Sequence, residues 1–282
     1  MATGGKRNYI WTYSDSGASG LFVTREGDAY FVGDNIEETR QMAEELGPLG
    51  CEAKSFLWFE DSPARLVRRE FPGTIVSDDG SIGENVHGKL AVIRALLTEV
   101  ELEKYRRLGA LAAEAMTATI AAIRPGMAEA EIAAILAAEG HRRRCQVPVA
   151  LVAADERIPL FRHPLPTEAP LATDGLEERA VTGYVEVVGC FLREGLVCSL
   201  TRFKQVGDLP DGIEDAYARI CAVDAIMQEA TEPGKTLGDV FAACQQAYAD
   251  HGFAADEWHN HHQGGSTGYA GRTCKGSPGE TF

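Results

Sequence analysis

The sequence of 282 residues has no apolar run near the ~20 residues that a helix needs to cross a bilayer. It is also poor in positive charge, with 27 Lys and Arg against 42 Asp and Glu and a formal net charge of -15. Nucleic acids and anionic membranes bind to basic surfaces, so we expect neither as a partner. The N-terminal residues do not lead into the apolar core of a signal peptide, and the expected location is therefore the cytoplasm.

Paired cysteines and early histidines are missing as well. The seven cysteines are odd in number and form no C-x-x-C pair, which predicts reduced thiols. No histidine occurs in residues 1–85, and nothing in that stretch indicates catalysis. Its patterns predict a small α/β unit with strands at 20–24, 29–32, 53–59 and 73–77 and helices at 36–46 and 62–69. The Asp- and Gly-rich stretch 78–83 predicts a linker.

Long helices dominate from Thr98 onward. Thr98-Glu99-Val100-Glu101 has the spacing of a capping box, and it predicts a helix to about Ile123, followed after Pro125-Gly126 by a second helix over 129–140. The same arrangement returns 233 − 125 = 108 residues later, with helices predicted at 213–230 and 237–250 around Pro233-Gly234. We interpret this as an internal duplication of helix, Pro-Gly turn and helix.

Segments of strand character follow both copies. After the first copy come 147–153 and the adjacent apolar segments 183–189 and 195–202, which predict neighbouring strands. After the second copy comes the stretch 258–265, which holds three of the seven histidines beside glycines. Imidazole titrates near neutral pH and is a common metal ligand, so this stretch is a candidate for chemistry. The alternative is a solvated polar loop.

The duplicated frame, Ser199-Leu200-Thr201-Arg202 and His262-Gln263-Gly264-Gly265 together resemble the pita-bread family of creatinase, aminopeptidase P, proline dipeptidase and methionine aminopeptidase. The resemblance covers nearly the whole chain. It implies an α/β (α+β) protein with a creatinase-type N-terminal domain over 1–85 and a pita-bread domain over 90–282. We expect the first domain to lack its start and the second its last strands. The resemblance also implies a homodimer.

The family's peptidases hold two divalent metals with two aspartates, one histidine and two glutamates, and the metals activate a water molecule. His262 matches the ligand histidine. The two aspartate positions carry Val188 and Ser199, of which valine offers no ligand and serine is a poor one for a hard cation. The residues after His262 do not resemble the family's glutamate-bearing strands. We therefore expect no metal cofactor, and Mn, Zn or Co only if this assignment of ligands is wrong.

Histidines then remain as the candidate catalytic groups. His163 resembles the family histidine that transfers protons or binds substrate, and His163 with His262 could perform acid–base catalysis without metal, as in creatinase. The alternative for His163 is a loop histidine held by Pro164 and Pro166. The candidate substrate-binding residues are His259, His261, Tyr269 and Arg202. For Arg202 the alternative is a strand anchor, and on a strand His259 and His261 would share one face, with His262 on the other.

Three classes of function compete. The resemblance favours a metal-dependent aminopeptidase or dipeptidase, whereas the missing carboxylates oppose it. We predict a divergent hydrolase of this family with a degenerate metal site, which cleaves a C–N bond in a small peptide, guanidino compound or amide with histidines. The alternative is a non-catalytic homologue that acts as a binding or oligomerisation module.

Overall fold

The computed structural model describes residues 5–10, 17–168, 178–254, 256–260, 267 and 275–281. The chain divides into two compact units, Met1–Leu102 and Glu103–Phe282. The predicted domain limits, 1–85 and 90–282, stay a prediction, since a division by packing does not test them. Within the described residues, no helix is both long and apolar enough to cross a membrane.

The first unit is built on a three-stranded sheet of β1 (Ser19–Val23), β2 (Ala29–Asp34) and β3 (Glu52–Phe56). The predicted hairpin is present as the antiparallel pair of β1 and β2, and β3 lies parallel to β2. β3 ends three residues before the predicted limit, because the chain turns after Phe56 and the Glu60 amide donates to the Leu57 carbonyl at 2.9 Å.

The predicted helix over 36–46 is not one continuous α-helix. α1 (Asn35–Arg40) is followed by a π-helical turn over Gln41–Glu45. Both ends of that turn carry buried polar side chains with distant partners: Ser19 donates to Gln41, and Arg7 binds Glu45. These long-range contacts explain why the local pattern did not predict the wider turn.

The remaining elements of the first unit are short. α2 (Pro63–Glu70) follows β3, and β4 (Val76–Ser77) pairs in parallel with β5 (Glu84–Asn85) around the predicted linker. α3 (His87–Ala95) comes next.

The long helices occur where the sequence predicts them. α4 (Glu99–Ala122) starts at the predicted capping box, in which the Glu101 amide donates to the Thr98 hydroxyl and the Thr98 amide to the Glu101 carboxylate. The rest of this part of the chain consists of α5 (Glu129–Arg142), β6 (Gln146–Ala154), β7 (Tyr184–Arg193), β8 (Leu196–Gln205), α6 (Ile213–Ala230) and α7 (Leu237–Asp250). Both Pro-Gly turns place their glycine at positive φ, 83° at Gly126 and 89° at Gly234, a conformation that glycine adopts without strain.

The core of the second unit lies between a sheet and two helices. The antiparallel sheet has the order β6-β7-β8, and one of its faces packs against α4 and α5. Leu108, Met116, Ile132 and Leu136 are buried in this cluster from the helix side. A smaller cluster joins α6 to α7 through Val223, Cys244, Ala247 and Tyr248.

Candidate functional site

The two faces of the β7–β8 hairpin differ in what covers them. Side chains alternate between faces along a strand, so the residues of β7 form two sets. The set packed in the core against α4 and α5 is Val185, Val187 and Phe191. The other set, Glu186, Val188 and Cys190, lies on the opposite face, which we call the second face.

The register of the hairpin brings Val188 and Ser199 together on the second face. Thr201 lies opposite Val188, and Ser199 lies opposite Cys190. Val188 and Ser199 are therefore diagonal neighbours, about 7–8 Å apart at Cα in an antiparallel pair. The Ser199 hydroxyl lies 3.2 Å from the Cys190 sulfur, so its described hydrogen-bond partner is a thiol. The six described cysteines are free thiols.

Arg202 lies on the other face from this pair. It is opposite Val187 in the register, its side chain is exposed, and its guanidinium donates to the neighbouring Thr201 carbonyl at 2.7 Å. This bond stays within β8 and joins the strand to no other element. The predicted role of Arg202 in substrate binding stays a prediction.

The loop that carries His163 is fastened by a buried carboxylate, Glu129, at the start of α5. Glu129 is fully buried and accepts hydrogen bonds from the Ala154 amide at 2.7 Å and from the amide and hydroxyl of Thr167 at 2.8 and 2.9 Å. It also pairs with Arg157, which donates to the Leu165 carbonyl at 2.9 Å. The two ends of the loop are thus tied to one carboxylate, while the His163 side chain between them is exposed.

A second carboxylate fixes the loop to the beginning of β7. Asp155 has a left-handed backbone (φ 51°) and accepts from the amides of Thr182, Gly183 and Tyr184 at 2.8–2.9 Å and from the Thr182 hydroxyl at 2.8 Å. Burial acts to raise the pKa of Asp155, but these hydrogen bonds outweigh it and the net shift is downward. Asp155 is therefore held as a carboxylate that orders the chain beside the second face.

Glu186 on β7 and Tyr248 on α7 both have raised pKa values. Burial raises the pKa of the Glu186 carboxyl, and the charge of Arg162 offsets this only in part. Burial together with nearby groups, among them Cys244, also raises the pKa of Tyr248 on α7 to about 12, and Arg162 again acts in the opposite direction. The charge of Arg162, the residue before His163, thus favours the ionised form of both groups.

The histidine stretch begins as a helical turn. Residues Glu257–Asn260 form one 3₁₀ turn, so the prediction that His259 lies on a strand is wrong. The Trp258 ring packs edge-on against Phe241 of α7, with ring centroids 5.2 Å apart, and this contact holds the turn close to the helix. The His259 ring contacts Trp258 at 4.0 Å and is exposed. The candidates His261, His262 and Tyr269 lie outside the described residues.

Comparison with known proteins gives both a family and a fold. The model of metallopeptidase family M24 matches residues 103–272, which is more than half of the chain. The chain belongs to metallopeptidase family M24. Comparison with curated protein sequences gives no significant match.

Solved structures similar to this M24 chain are peptidases at low sequence identity. Dipeptidase PepE from Mycobacterium ulcerans has 20% identity and a TM-score of 0.72, with 94% of this chain and 73% of that chain covered. The prolidase from Pyrococcus horikoshii has 15% identity and a TM-score of 0.74, with 95% and 78% covered. The X-Pro aminopeptidase from Thermotoga maritima has 15% identity and a TM-score of 0.68, with 92% and 77% covered. These likenesses confirm the predicted pita-bread fold.

Val188 and Ser199, which the resemblance places at the family's two aspartate positions, do not fit the dinuclear metal site expected of M24 peptidases. Val188 brings methyl groups and Ser199 a neutral hydroxyl to the place where bridging carboxylates would be needed. In the part of the chain that the structure describes, no group of three or more His, Cys, Asp or Glu is arranged to hold a metal. At these two positions the side chains offer no carboxylate to a metal.

Three important carboxylates were not predicted from the sequence. Glu129 and Asp155 have partners 25 to 38 residues away, so no local pattern pointed to them. Glu186 did leave a signal, because it is the one charged residue in the apolar run 183–192. An acid within a strand that has apolar residues on both sides indicates either an exposed face or a site.

Proposed function

We propose that this chain is a divergent M24 hydrolase that cleaves a C–N bond by acid–base chemistry of histidines, without the dinuclear site of the family. The observation that carries the proposal is the side-chain pair Val188 and Ser199 on the second face, since these residues supply no carboxylate where the family has two. The proposed catalytic residues are His163 and His262.

The surroundings of His163 support its part in the proposal. Its imidazole is exposed, so a substrate can reach it, while the loop on either side is fixed by Glu129 and Asp155. A histidine positioned in this way is suited to proton transfer, which contributes roughly 10²–10⁴ in rate. Arg162 beside it provides a cation for an anionic or carbonyl group of the substrate.

The proposed substrate is a small peptide or a small guanidino or amide compound. Support for a peptide comes from the structural relatives, which are named as a dipeptidase, a prolidase and an X-Pro aminopeptidase. Support for a guanidino compound comes from the resemblance to creatinase. We further propose that the protein works in the cytoplasm as a homodimer, which light scattering coupled to size exclusion would test.

The second candidate function is non-catalytic binding, and the same pair of residues favours it. A chain that has lost two family carboxylates can keep a ligand pocket or an interface without turnover. His261, Tyr269 and His259 would then line a binding site with no proton transfer to perform.

Two measurements separate these possibilities. Elemental mass spectrometry on protein offered Mn²⁺, Zn²⁺ or Co²⁺ should find far less than the two equivalents per chain of a dinuclear site, and two equivalents would overturn the proposal. Hydrolysis of a panel of dipeptides, guanidino compounds and amides should then fall by about 10²–10⁴ in His163→Ala. His141→Ala is the matched control, because His141 is another exposed histidine. Absence of turnover in the wild type would favour the non-catalytic function.

A further inference from the structure

A cavity of about 250 Å³ lies between the N-terminal half of α4 and the turn that joins β7 to β8. Its apolar lining residue is Leu108, which is 1% exposed and belongs to the core of the second unit. The other lining residues are charged, and none of them is among the catalytic or substrate-binding residues proposed above. They are the acids Glu103 and Glu194 and the cations Lys104, Arg107 and Arg193.

Both acids of the cavity already have cationic partners. The Glu194 carboxylate lies 2.9 Å from the Lys104 ammonium through one oxygen and 3.4 Å from the Arg193 guanidinium through the other. Glu103 pairs at 3.5 Å with Arg106, a residue that does not line the cavity. The two negative charges are therefore compensated, one of them by a cation from outside the lining.

The two arginines, in contrast, keep donors that the fold does not use. Arg107 is exposed and makes no hydrogen bond or ion pair among the residues that the structure describes. The Arg193 side chain is 22% exposed, and its Nε contacts Glu194 while its Nη1 donates to the Arg143 carbonyl at 3.5 Å. A guanidinium carries five N–H donors, so both arginines can donate to a ligand in the cavity.

The wall formed by the β7–β8 turn is held in place before a ligand binds. Glu194 and Gly195 are the central residues of this turn, with φ values of 51° and 77°. Glycine adopts this left-handed conformation freely, whereas glutamate adopts it at a cost, and asparagine is the more usual residue there. The ion pair of Glu194 with Lys104 ties the turn to α4. A ligand would therefore meet a preformed site, which it would not have to order.

The unused donors favour an anion with several acceptor oxygens. Planar guanidinium groups bind the oxygens of a phosphate in pairs, and one phosphate has enough oxygens for two arginines. The net charge of -15 repels anions from the chain as a whole, so only an anion that makes close contacts should bind here. A volume of about 250 Å³ suits a small molecule.

We propose that this cavity binds the phosphate group of a small phosphorylated molecule, with Arg107 and Arg193 as the donors and the pair of Lys104 and Glu194 as the support of the wall. The inference concerns a second site, which is separate from the histidine chemistry proposed above. It can fail while that chemistry stands, and it holds whether or not the chain is catalytically active.

The test uses glycerol 3-phosphate, inorganic phosphate, succinate and glycerol. Ligand-observed NMR on the full chain should detect both phosphate compounds with a Kd of about 1 mM or below, weaker binding of the dicarboxylate succinate, and no binding of neutral glycerol. In Arg107→Gln the affinity for glycerol 3-phosphate should fall by at least about tenfold, as for the loss of a charged hydrogen bond. Arg106→Gln is the matched control, because Arg106 is the adjacent exposed cation of α4 and does not line the cavity.

Two further results separate binding from structure. Glu194→Gln removes the negative charge that occupies Lys104 and Arg193, and it should bind glycerol 3-phosphate at least about threefold more tightly. The thermal midpoint of Arg107→Gln should stay within about 2 °C of the wild type, because this exposed side chain has no partner in the described part of the chain.

Three outcomes in the binding measurements would overturn the proposal: neither phosphate compound binds the wild type, succinate binds as tightly as glycerol 3-phosphate, or Arg106→Gln weakens binding as much as Arg107→Gln. It is also overturned if Glu194→Gln binds glycerol 3-phosphate no more tightly than the wild type.

Discussion

Replacement of Glu129 by alanine tests how the loop bearing His163 is held. The change removes a fully buried carboxylate together with its bonds to Ala154 and Thr167, and it leaves Arg157, whose side chain is only 15% exposed, without its partner. Loss of one member of a buried ion pair costs about 3–5 kcal/mol. At about 2–4 °C per kcal/mol for a unit of this size, the midpoint of thermal unfolding should fall by about 6–20 °C.

Urea unfolding followed by circular dichroism would measure the change in free energy. Glu131→Ala is the matched control, because Glu131 is an exposed acid on the same turn of α5 and should alter stability by less than about 0.5 kcal/mol. A double-mutant cycle with Arg157→Met isolates the pair: this second change should cost much less in the Glu129→Ala background than in the wild type. A loss below about 1 kcal/mol in Glu129→Ala, or strict additivity in the cycle, would refute the reasoning.

The remaining predictions address pH, backbone packing and the proposed catalytic residue His163. The folded-state pKa of Asp155 lies below its ordinary value of 3.8, so its carboxylate stabilises the fold above that pH and the benefit is lost as the pH falls through the folded-state value. The gap in thermal midpoint between wild type and Asp155→Asn should therefore be constant above about pH 5 and shrink as the pH falls below 3.8, and a gap that stays constant there would contradict this. In Gly109→Ala of α4 the new methyl group meets open space, and the free energy of unfolding should rise by about 0.5–1 kcal/mol. In Gly140→Ala of α5 the methyl group would overlap the Val147 side chain, and the free energy of unfolding should fall by about 1–3 kcal/mol. Urea titrations that give both changes the same sign would contradict this account of the packing. His163→Ala should change the free energy of unfolding by less than about 0.5 kcal/mol, because the side chain is exposed, and a larger loss would make its activity uninterpretable.

The helices could be predicted from the sequence because their ends are encoded locally. α6 and α7 begin and end at the predicted residues, and α4 starts at its capping box. The contacts that build the site, in contrast, join residues that are far apart in the sequence. Glu129 joins residues 28 and 38 positions away, and neither spacing nor composition contains that information.

The histidine stretch is a second place where the local sequence pattern did not predict the structure. A run of imidazoles and glycines indicated chemistry, but a strand was expected where the chain forms a 3₁₀ turn at Glu257–Asn260. The packing of Trp258 on Phe241 decides that conformation, and it depends on α7 rather than on the histidines themselves. Residue type indicated where to look, whereas tertiary contacts determined the local shape.

The pair Val188 and Ser199 also bears on how the hairpin folds. Two aspartates at diagonal positions of one face would repel each other until cations neutralised them, so metal would favour the pairing of such a hairpin. With a valine and a serine there, β7 and β8 can pair without that repulsion. The pairing of β7 with β8 should therefore be indifferent to chelators.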